Sequence, residues 1–333
     1  MALADQLGIQ FRYRDALILG TLVALFACLY IMPKAIAKLR GAGIVGRDRH
    51  KEGRPEIPEM GGLGVFVAYM MGAFVVIAIS DLAQSDLVLV LAALVVIAGA
   101  TLTGALDDLI VLRQRFKAAL PFAFAAPLAL FVEDTTIWFP LLGTVDFGIW
   151  YPLVLVPVGV ACASNGFNML EGFNGLGTGL GIILGLALAF IVLLSGNPVG
   201  LALLAPLLGA LAGFWVFNAY PARVFPGDTM TLMVGAVIAC AAIIGKVEFW
   251  GALLLVPHIV EFFLKATSRF EAESFADRQE DGKQIHEGSI HSLPHLAMKL
   301  SGPIREDHLV VRMHVAFTLF AGLVTLAAFA ASP

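Results

Sequence analysis

The sequence predicts an all-α integral membrane protein of about ten transmembrane helices with both termini extracytoplasmic, and three observations carry that reading. Hydrophobic residues fill 59% of the 333 positions and charged residues only 14%, against roughly half and a quarter in a soluble domain. Apolar stretches able to cross ~30 Å of hydrocarbon as helices recur along the whole chain. Lysine and arginine, finally, gather in alternate loops.

The apolar spans run over residues 16–32, 60–80, 87–106, 118–132, 150–164, 177–194, 199–217, 229–245, 249–264 and 309–331. The first is flanked by Arg12, Arg14 and Lys34 and lacks a small-residue cleavage site, so it reads as a retained helix and not a signal peptide. Residues 135–150, TTIWFPLLGTVDFGIW, place β-branched and aromatic residues around Gly143 and read as a short extracytoplasmic β-hairpin with Trp138 and Trp150 near the headgroups. Cys28, Cys162 and Cys240 lie in or beside apolar spans without CxxC spacing, which predicts inert core residues instead of disulfides or a zinc site.

With ten spans, 18 of the 21 basic residues fall on one side of the membrane, leaving Arg12, Arg14 and Lys246 on the other. That asymmetry places the basic loops in the cytoplasm. The whole chain, 1–333, reads as a single polytopic domain with cytoplasmic loops near 33–59, 107–117, 165–176, 218–228 and 265–308. Nothing in the pattern asks for nucleic acid as a partner; the lipid bilayer is the partner that composition demands.

The unusual polar residues sit in those same loops. Asp107 and Asp108 are adjacent acids at the end of an apolar helix, where an ionised side chain needs a partner or a task. They are hard oxygen ligands of the kind Mg²⁺ takes together with substrate phosphates, or else an ordinary charged helix end. Lys117 lies nine residues beyond Asp108, about half a turn around an ideal helix, so both reach one site only if the segment bends. Asp228, after Phe225-Pro226-Gly227, reads either as the N-cap of the helix that follows or as a metal ligand brought opposite the acid pair. Phe225 offers a flat face for a base or simply packs.

The stretch NGFNMLEGFNGLGTG, 165–179, adds three amides and an acid: Asn165, Asn168, Asn174 and Glu171. Its glycines permit close backbone approach, and amides both donate and accept hydrogen bonds, as reading the imide edge of a uracil requires. In HEGSIHSLPH, 286–295, three histidines beside Lys283 and Arg278 suggest a phosphate clamp or a metal site.

These motifs carry a family likeness. DDLIVLRQRFKAALP, NGFNMLEGFNGLGTG and FPGDTMTLMVG, specific in combination and in matching order and spacing, resemble the polyprenyl-phosphate N-acetylhexosamine-1-phosphate transferases, and RPEIPEMGG resembles that family's IPE segment after the first helix. That superfamily includes the dolichyl-phosphate enzyme of N-glycosylation and the bacterial MraY and WecA enzymes. The EGFNG segment is similar to the dolichyl type, not to the aspartate-rich bacterial form. The resemblance implies a Mg²⁺-dependent enzyme (Mn²⁺ as a substitute) that moves GlcNAc-1-phosphate from UDP-GlcNAc to a polyprenyl or dolichyl phosphate and releases UMP. It implies Asp228 and Asn168 at the metal and Asn168 beside the nucleotide. Phe225 and Asn174 would lie at the uracil, and Lys117 at phosphate. Asp107 and Asp108 would form the acidic pair facing the prenyl phosphate, with Glu59, Glu171, His291 and His295 as further substrate contacts. The histidines depart from the family's compact run. A homodimer is expected on the same ground, as is an archaeal plasma membrane, or an ER membrane if the source is eukaryotic, with the active site cytoplasmic. A relative using another UDP-sugar, a nucleotide-sugar transporter and a membrane scaffold are the rival readings. A transporter should concentrate its polar residues near the bilayer midplane, often within repeated halves. Here they gather at one face.

Overall fold

The computed structural model describes residues 11–331. Among them, eight helices are long and apolar enough to cross a membrane. In chain order these are α1 (Phe11–Gly41), α2 (Gly62–Ile79), α3 (Gln84–Ile110), α6 (Val156–Met169, entered through a wide turn at Tyr151–Leu155), α7 (Leu176–Leu194), α8 (Leu201–Asn218), α9 (Gly227–Ile244) and α13 (Glu306–Ala331). A ninth span is broken: α10 (Glu248–Leu254) and α11 (Val256–Thr267) meet at 52°. Pro257 in the first turn of α11 causes the break, because its ring nitrogen cannot donate back into α10.

The sequence count of ten is therefore not reproduced as ten single helices. Residues of the expected fourth span fold as two short helices, α4 (Gln114–Phe124) and α5 (Ala126–Phe131), with Pro121 inside the first and Pro127 opening the second. α1 also outlasts its apolar stretch by nine residues, ending on Lys38 and Arg40, whose charges suit the negative end of the helix dipole.

α9 is the hub. Nearly all of its side chains are buried, and it packs against α2, α3, α6 and α8. Glycine makes two of these approaches possible. A Cβ on Gly104 of α3 would collide with the Asp228 carbonyl, and one on Gly235 with the Ala163 carbonyl of α6. MGGLGV at the start of α2 serves packing in the same way, with Gly61 against Phe214 and Val224 and Gly62 against Met230.

Loops sort to two ends. At one end Arg12 pairs with Asp81 at 2.8 Å, Tyr13 donates to the Pro198 carbonyl at 3.0 Å, and Lys246 donates to the Thr136 carbonyl at 2.6 Å. The expected hairpin is here, β3 (Thr136–Phe139) paired antiparallel with β4 (Gly143–Asp146). Trp138 rests beside Trp250 with ring centroids 6.2 Å apart, while Trp150 is exposed. Arg12, together with Ala328 and Ala331, which share a small pocket with Trp138 and Lys246, puts both described ends of the chain at this end.

At the other end two further hairpins interlock, β1 (Val45–Arg47) with β2 (Glu56–Pro58), and β5 (Asp277–Arg278) with β6 (Gln284–Ile285). Gln284 Nε2 donates to the His50 carbonyl at 3.0 Å, Arg278 pairs with Glu52 at 3.4 Å, and Arg49 pairs with Glu273. A short helix, α12 (Leu293–Ser301), leads from this loop into α13.

Candidate active site

α3 ends immediately after the acid pair, at Ile110, because Val111 takes a left-handed conformation with φ 49° that a β-branched residue rarely adopts. The chain reverses into α4 and returns Lys117 toward the acids, which supplies the bend that the spacing demanded. Lys117 Nζ lies 2.8 Å from Asp107 and also pairs with Asp228. Asp107 Oδ1 accepts from the Leu112 amide at 2.6 Å, locking the turn.

Asn168, on the last turn of α6, completes the group. In the amide orientation that satisfies every neighbour, its Nδ2 donates to Thr231 Oγ1 at 2.7 Å and to Asp228 Oδ1 at 3.0 Å, and its Oδ1 accepts from Lys117 Nζ at 2.8 Å. Two carboxylates and an amide oxygen from three separate segments thus converge on one cationic centre. All three are hard oxygen donors, and the Asp228 side chain keeps a quarter of its surface open. This donor set fits a Mg²⁺ ion.

Asp108 faces elsewhere. Its carboxylate accepts from the backbone amides of Asp228 (2.8 Å) and Thr229 (3.1 Å) and from Thr229 Oγ1 (2.6 Å). The capping role that competed for Asp228 in the sequence is therefore filled by Asp108, from another helix, and Asp228 sits inside the first turn with its side chain free for the cluster. Gly227 makes this fit possible: its φ is +68° and a Cβ there would strike the Asp108 carboxylate.

Glu59 and Phe225 come together beside the acids. The Phe225 amide donates to the Pro58 carbonyl at 2.8 Å and its own carbonyl accepts from Gly61 at 2.9 Å, so IPEMGG and FPGD lie side by side. Both side chains border Gly46 of β1, and Phe225 is only half buried. Burial and the nearby Asp108 charge hold the Glu59 carboxyl above the usual carboxylate range. Glu171 lies within electrostatic reach of Asp228; its Oε2 is buried without a hydrogen-bond partner, and burial pushes its carboxyl up to about 8.

Asn174 belongs to a second cluster. Its Oδ1 accepts from Lys51 at 2.6 Å and from the Ala222 amide at 2.8 Å, and its Nδ2 donates to Asp48 at 3.2 Å. Its backbone amide donates to Glu306 at 2.9 Å. Lys51 in turn pairs with Asp48, and with Glu306 at 3.6 Å. His50 stacks on Phe173 with centroids 4.3 Å apart, and burial lowers its pKa to about 4.

The histidines of the last loop are committed locally. His295 is buried, its Nε2 against the Phe275 carbonyl at 3.1 Å and its ring stacked on His286 at 3.6 Å. His291 Nδ1 lies 2.7 Å from Thr267 Oγ1. Lys265 links this loop to the cluster, near enough to both Lys117 and His295 for the charges to repel. Sequence reasoning did not single out Lys265, Thr231, Asp48, Lys51, Glu261 or Glu306. Glu261, an acid inside an otherwise apolar helix, carried a signal that could have found it; Glu306, in the charged first turn of α13, did not.

Beside the Asp107–Lys117–Asp228–Asn168 cluster runs an apolar groove of about 750 Å³. Gln114 and Ala118 of α4 and Asn165 and Met169 of α6, the sequence neighbours of Lys117 and Asn168, line its near end; Phe139 and Phe249 line the far end. Between them it is walled by α6, α9, α10 and α11. Cys162 is exposed in this wall and is not the core residue that the sequence suggested.

Comparison with known proteins fits this geometry. Residues 89–246 match the sequence model of glycosyl transferase family 4. A Saccharolobus solfataricus protein, provisionally named UDP-N-acetylglucosamine–dolichyl-phosphate N-acetylglucosaminephosphotransferase, is 34% identical over 92% of this chain and 95% of its own length. The chain belongs to glycosyl transferase family 4. The Saccharomyces cerevisiae enzyme of the same name is 27% identical over 72% of this chain and 64% of its own. A Borreliella burgdorferi phospho-N-acetylmuramoyl-pentapeptide-transferase is 30% identical over 76% and 80%. Within this family 4 chain the matched region holds Asp107, Asp108, Lys117, Asn168, Glu171, Asn174, Phe225 and Asp228, while Glu59, His291 and His295 lie outside it.

Proposed function

We propose that this integral membrane protein transfers GlcNAc-1-phosphate from UDP-GlcNAc to a polyprenyl phosphate of dolichyl type, releasing UMP and leaving the sugar on a lipid pyrophosphate. One observation carries the reading: Asp107, Lys117, Asn168 and Asp228 meet in one cluster, and Gln114, Ala118, Asn165 and Met169 from the same two helices as Lys117 and Asn168 line an apolar groove. A water-soluble donor and a bilayer-held acceptor need such a junction.

In this reading a prenyl-phosphate oxygen attacks the β-phosphorus of UDP-GlcNAc while the bond to the oxygen of the departing UMP breaks. A phosphomonoester is already largely dianionic at neutral pH, so no strong general base is needed and positioning dominates. Lys117 swings between carboxylate and phosphate oxygens, neutralising charge as it develops. Asp107 holds that ammonium in line, and Asp108 fixes the first turn of α9 so that Asp228 points inward. Asp228 and Asn168 would hold Mg²⁺, with Mn²⁺ as a substitute; the bound ion supplies charge neutralisation on the pyrophosphate. Half-buried Phe225 offers its ring to uracil. The prenyl chain lies in the groove.

The positive-inside pattern supports a cytoplasmic site with extracytoplasmic termini, and the proposal places the protein in an archaeal plasma membrane. A homodimer completes the proposal on family resemblance alone. Purified protein incubated with labelled UDP-GlcNAc, a polyprenyl phosphate and Mg²⁺ is expected to yield UMP and a labelled lipid. Failure to label lipid, or full activity in Asp228→Asn, overturns the proposal. Replacing the donor by UDP-GalNAc or UDP-MurNAc-pentapeptide identifies the sugar.

A further inference from the structure

We propose that Glu261 is a positioning residue that ties the groove-lining half-helix α11 to the polar loop over the site, so that filling the groove sets the geometry of that loop. The inference rests on the functional reading above.

Glu261 is completely buried in α11, flanked by His258, Ile259 and Phe262, which line the groove. An ionised carboxylate at such a place is strongly unfavourable unless its oxygens are satisfied. Here the satisfying groups come from two distant points of the loop. Oε1 accepts from Ser292 Oγ at 2.8 Å and Ser274 Oγ at 3.4 Å, and Oε2 accepts from the Leu293 amide at 2.7 Å. The two serines also touch each other at 3.1 Å. Lys265, one turn on, contributes a cation at 3.8 Å.

The Leu293 amide opens α12, whose N-cap Ser292 makes no side-chain cap of its own. Glu261 therefore caps α12 from another helix and gathers the start and end of the 274–292 segment onto α11. A second tie, Thr267 to His291, joins the end of α11 to the same loop. From there the linkage continues to the first cytoplasmic hairpin, since the Ala276 amide donates to His50 Nε2 at 3.3 Å. The break at Pro257 leaves α11 hinged against α10, so a chain lodged in the groove presses on the one half-helix that carries the loop.

The test combines hydrogen exchange with kinetics. In wild-type enzyme, adding the polyprenyl phosphate is expected to slow exchange of amides 274–295, although the lipid lies on the other side of α11. Glu261→Ala is expected to abolish that protection and raise the KM for UDP-GlcNAc at least about tenfold, as the loss of hydrogen bonds to a buried charge implies, with a smaller change in kcat. Glu261→Gln, which keeps an acceptor oxygen, is expected to restore much of both. If Glu261→Ala does not fold, Ser274→Ala/Ser292→Ala removes the donors instead and is expected to give the same loss. A folded variant that keeps lipid-dependent protection and a wild-type KM overturns the inference. Wild-type enzyme that labels no lipid at all overturns the functional reading instead, a result separable from the first.

Discussion

Two lysine-centred clusters lie at the same end of the molecule, built from the same parts and closed to different degrees. Lys117 stands between Asp107 and Asp228, whose side chains are 13% and 25% exposed. Lys51 stands between Asp48 and Glu306, at 1% and 3%. In the second cluster Asp48 accepts from the Asn174 side chain and the His50 amide, and Glu306 accepts from the Asn174 amide, while Glu306 Oε2 is buried with the Lys51 charge beside it. Asp48, His50 and Glu306 have ligating atoms within 4.8 Å of one another, a spacing a metal could use, yet Lys51 already supplies the cation. The difference lies in the acids and not in the lysines, since Lys51 is at 20% the more exposed ammonium against 12% for Lys117: only Asp107 and Asp228 keep carboxylate surface open to a divalent ion.

The largest test of that contrast is the open cluster itself. Asp228→Asn and Lys117→Ala are each expected to lower kcat by about 10²–10³-fold or more, measured as lipid labelling, while the protein still purifies folded. Next comes the closed cluster, where Lys51→Ala leaves two buried carboxylates without their cation. It is expected to destabilise the fold by about 3–5 kcal/mol, seen as a lower unfolding temperature in detergent, a clearly larger loss than for Lys117→Ala. A smaller effect should come from the groove. A Cβ on Gly159 meets nothing within 4 Å, so Gly159→Leu is expected to fold normally and fill space in the groove, raising the KM for polyprenyl phosphate about tenfold with little change in kcat.

The smallest effect is in pH dependence, where the clusters should slope in opposite directions. Glu171, beside the open cluster, has its carboxyl raised from 4.5 to about 8 by burial, so the folded state holds the proton more tightly. Its contribution to stability is present in acid and is lost as pH rises through that window; Glu171→Gln should flatten the slope. His50, in the closed cluster, is lowered from 6.5 to about 4, so its contribution is present above 6.5 and lost as pH falls toward 4. His50→Phe should remove that acid-side loss. Unfolding temperatures between pH 4 and 8 decide both.

Much of the fold was legible because lipid imposes long apolar runs, and the basic loops mark their ends. The fourth apolar run folds as two short helices, with Pro127 opening the second, a division that neither length nor composition distinguishes from one helix. At the site, the acids, Lys117, Asn168 and Asp228 were visible as polar residues where polarity is costly. What could not be read was direction. Adjacent acids look alike in sequence, but Asp107 turns to Lys117 and Asp108 to the amides of α9. Asn174 looked like a free hydrogen-bonding group, and only the arrival of Lys51 and Ala222 from remote segments shows its amide in use. The partners of Glu261 (two serines, the Leu293 amide and Lys265) and of Glu306 (the Asn174 amide and Lys51) come together only in the fold, so sequence shows at most that an acid is present, not what it holds.

The carboxylate of Asp108 has a mechanical corollary. Rooted in α3 and spent on the opening amides of α9, it fastens the two jaws that carry Asp107 and Asp228 into a calliper of fixed gauge. Parting those jaws would tear three hydrogen bonds at once, so the distance between the two acids that face Lys117 is set by the fold and not by whatever binds between them.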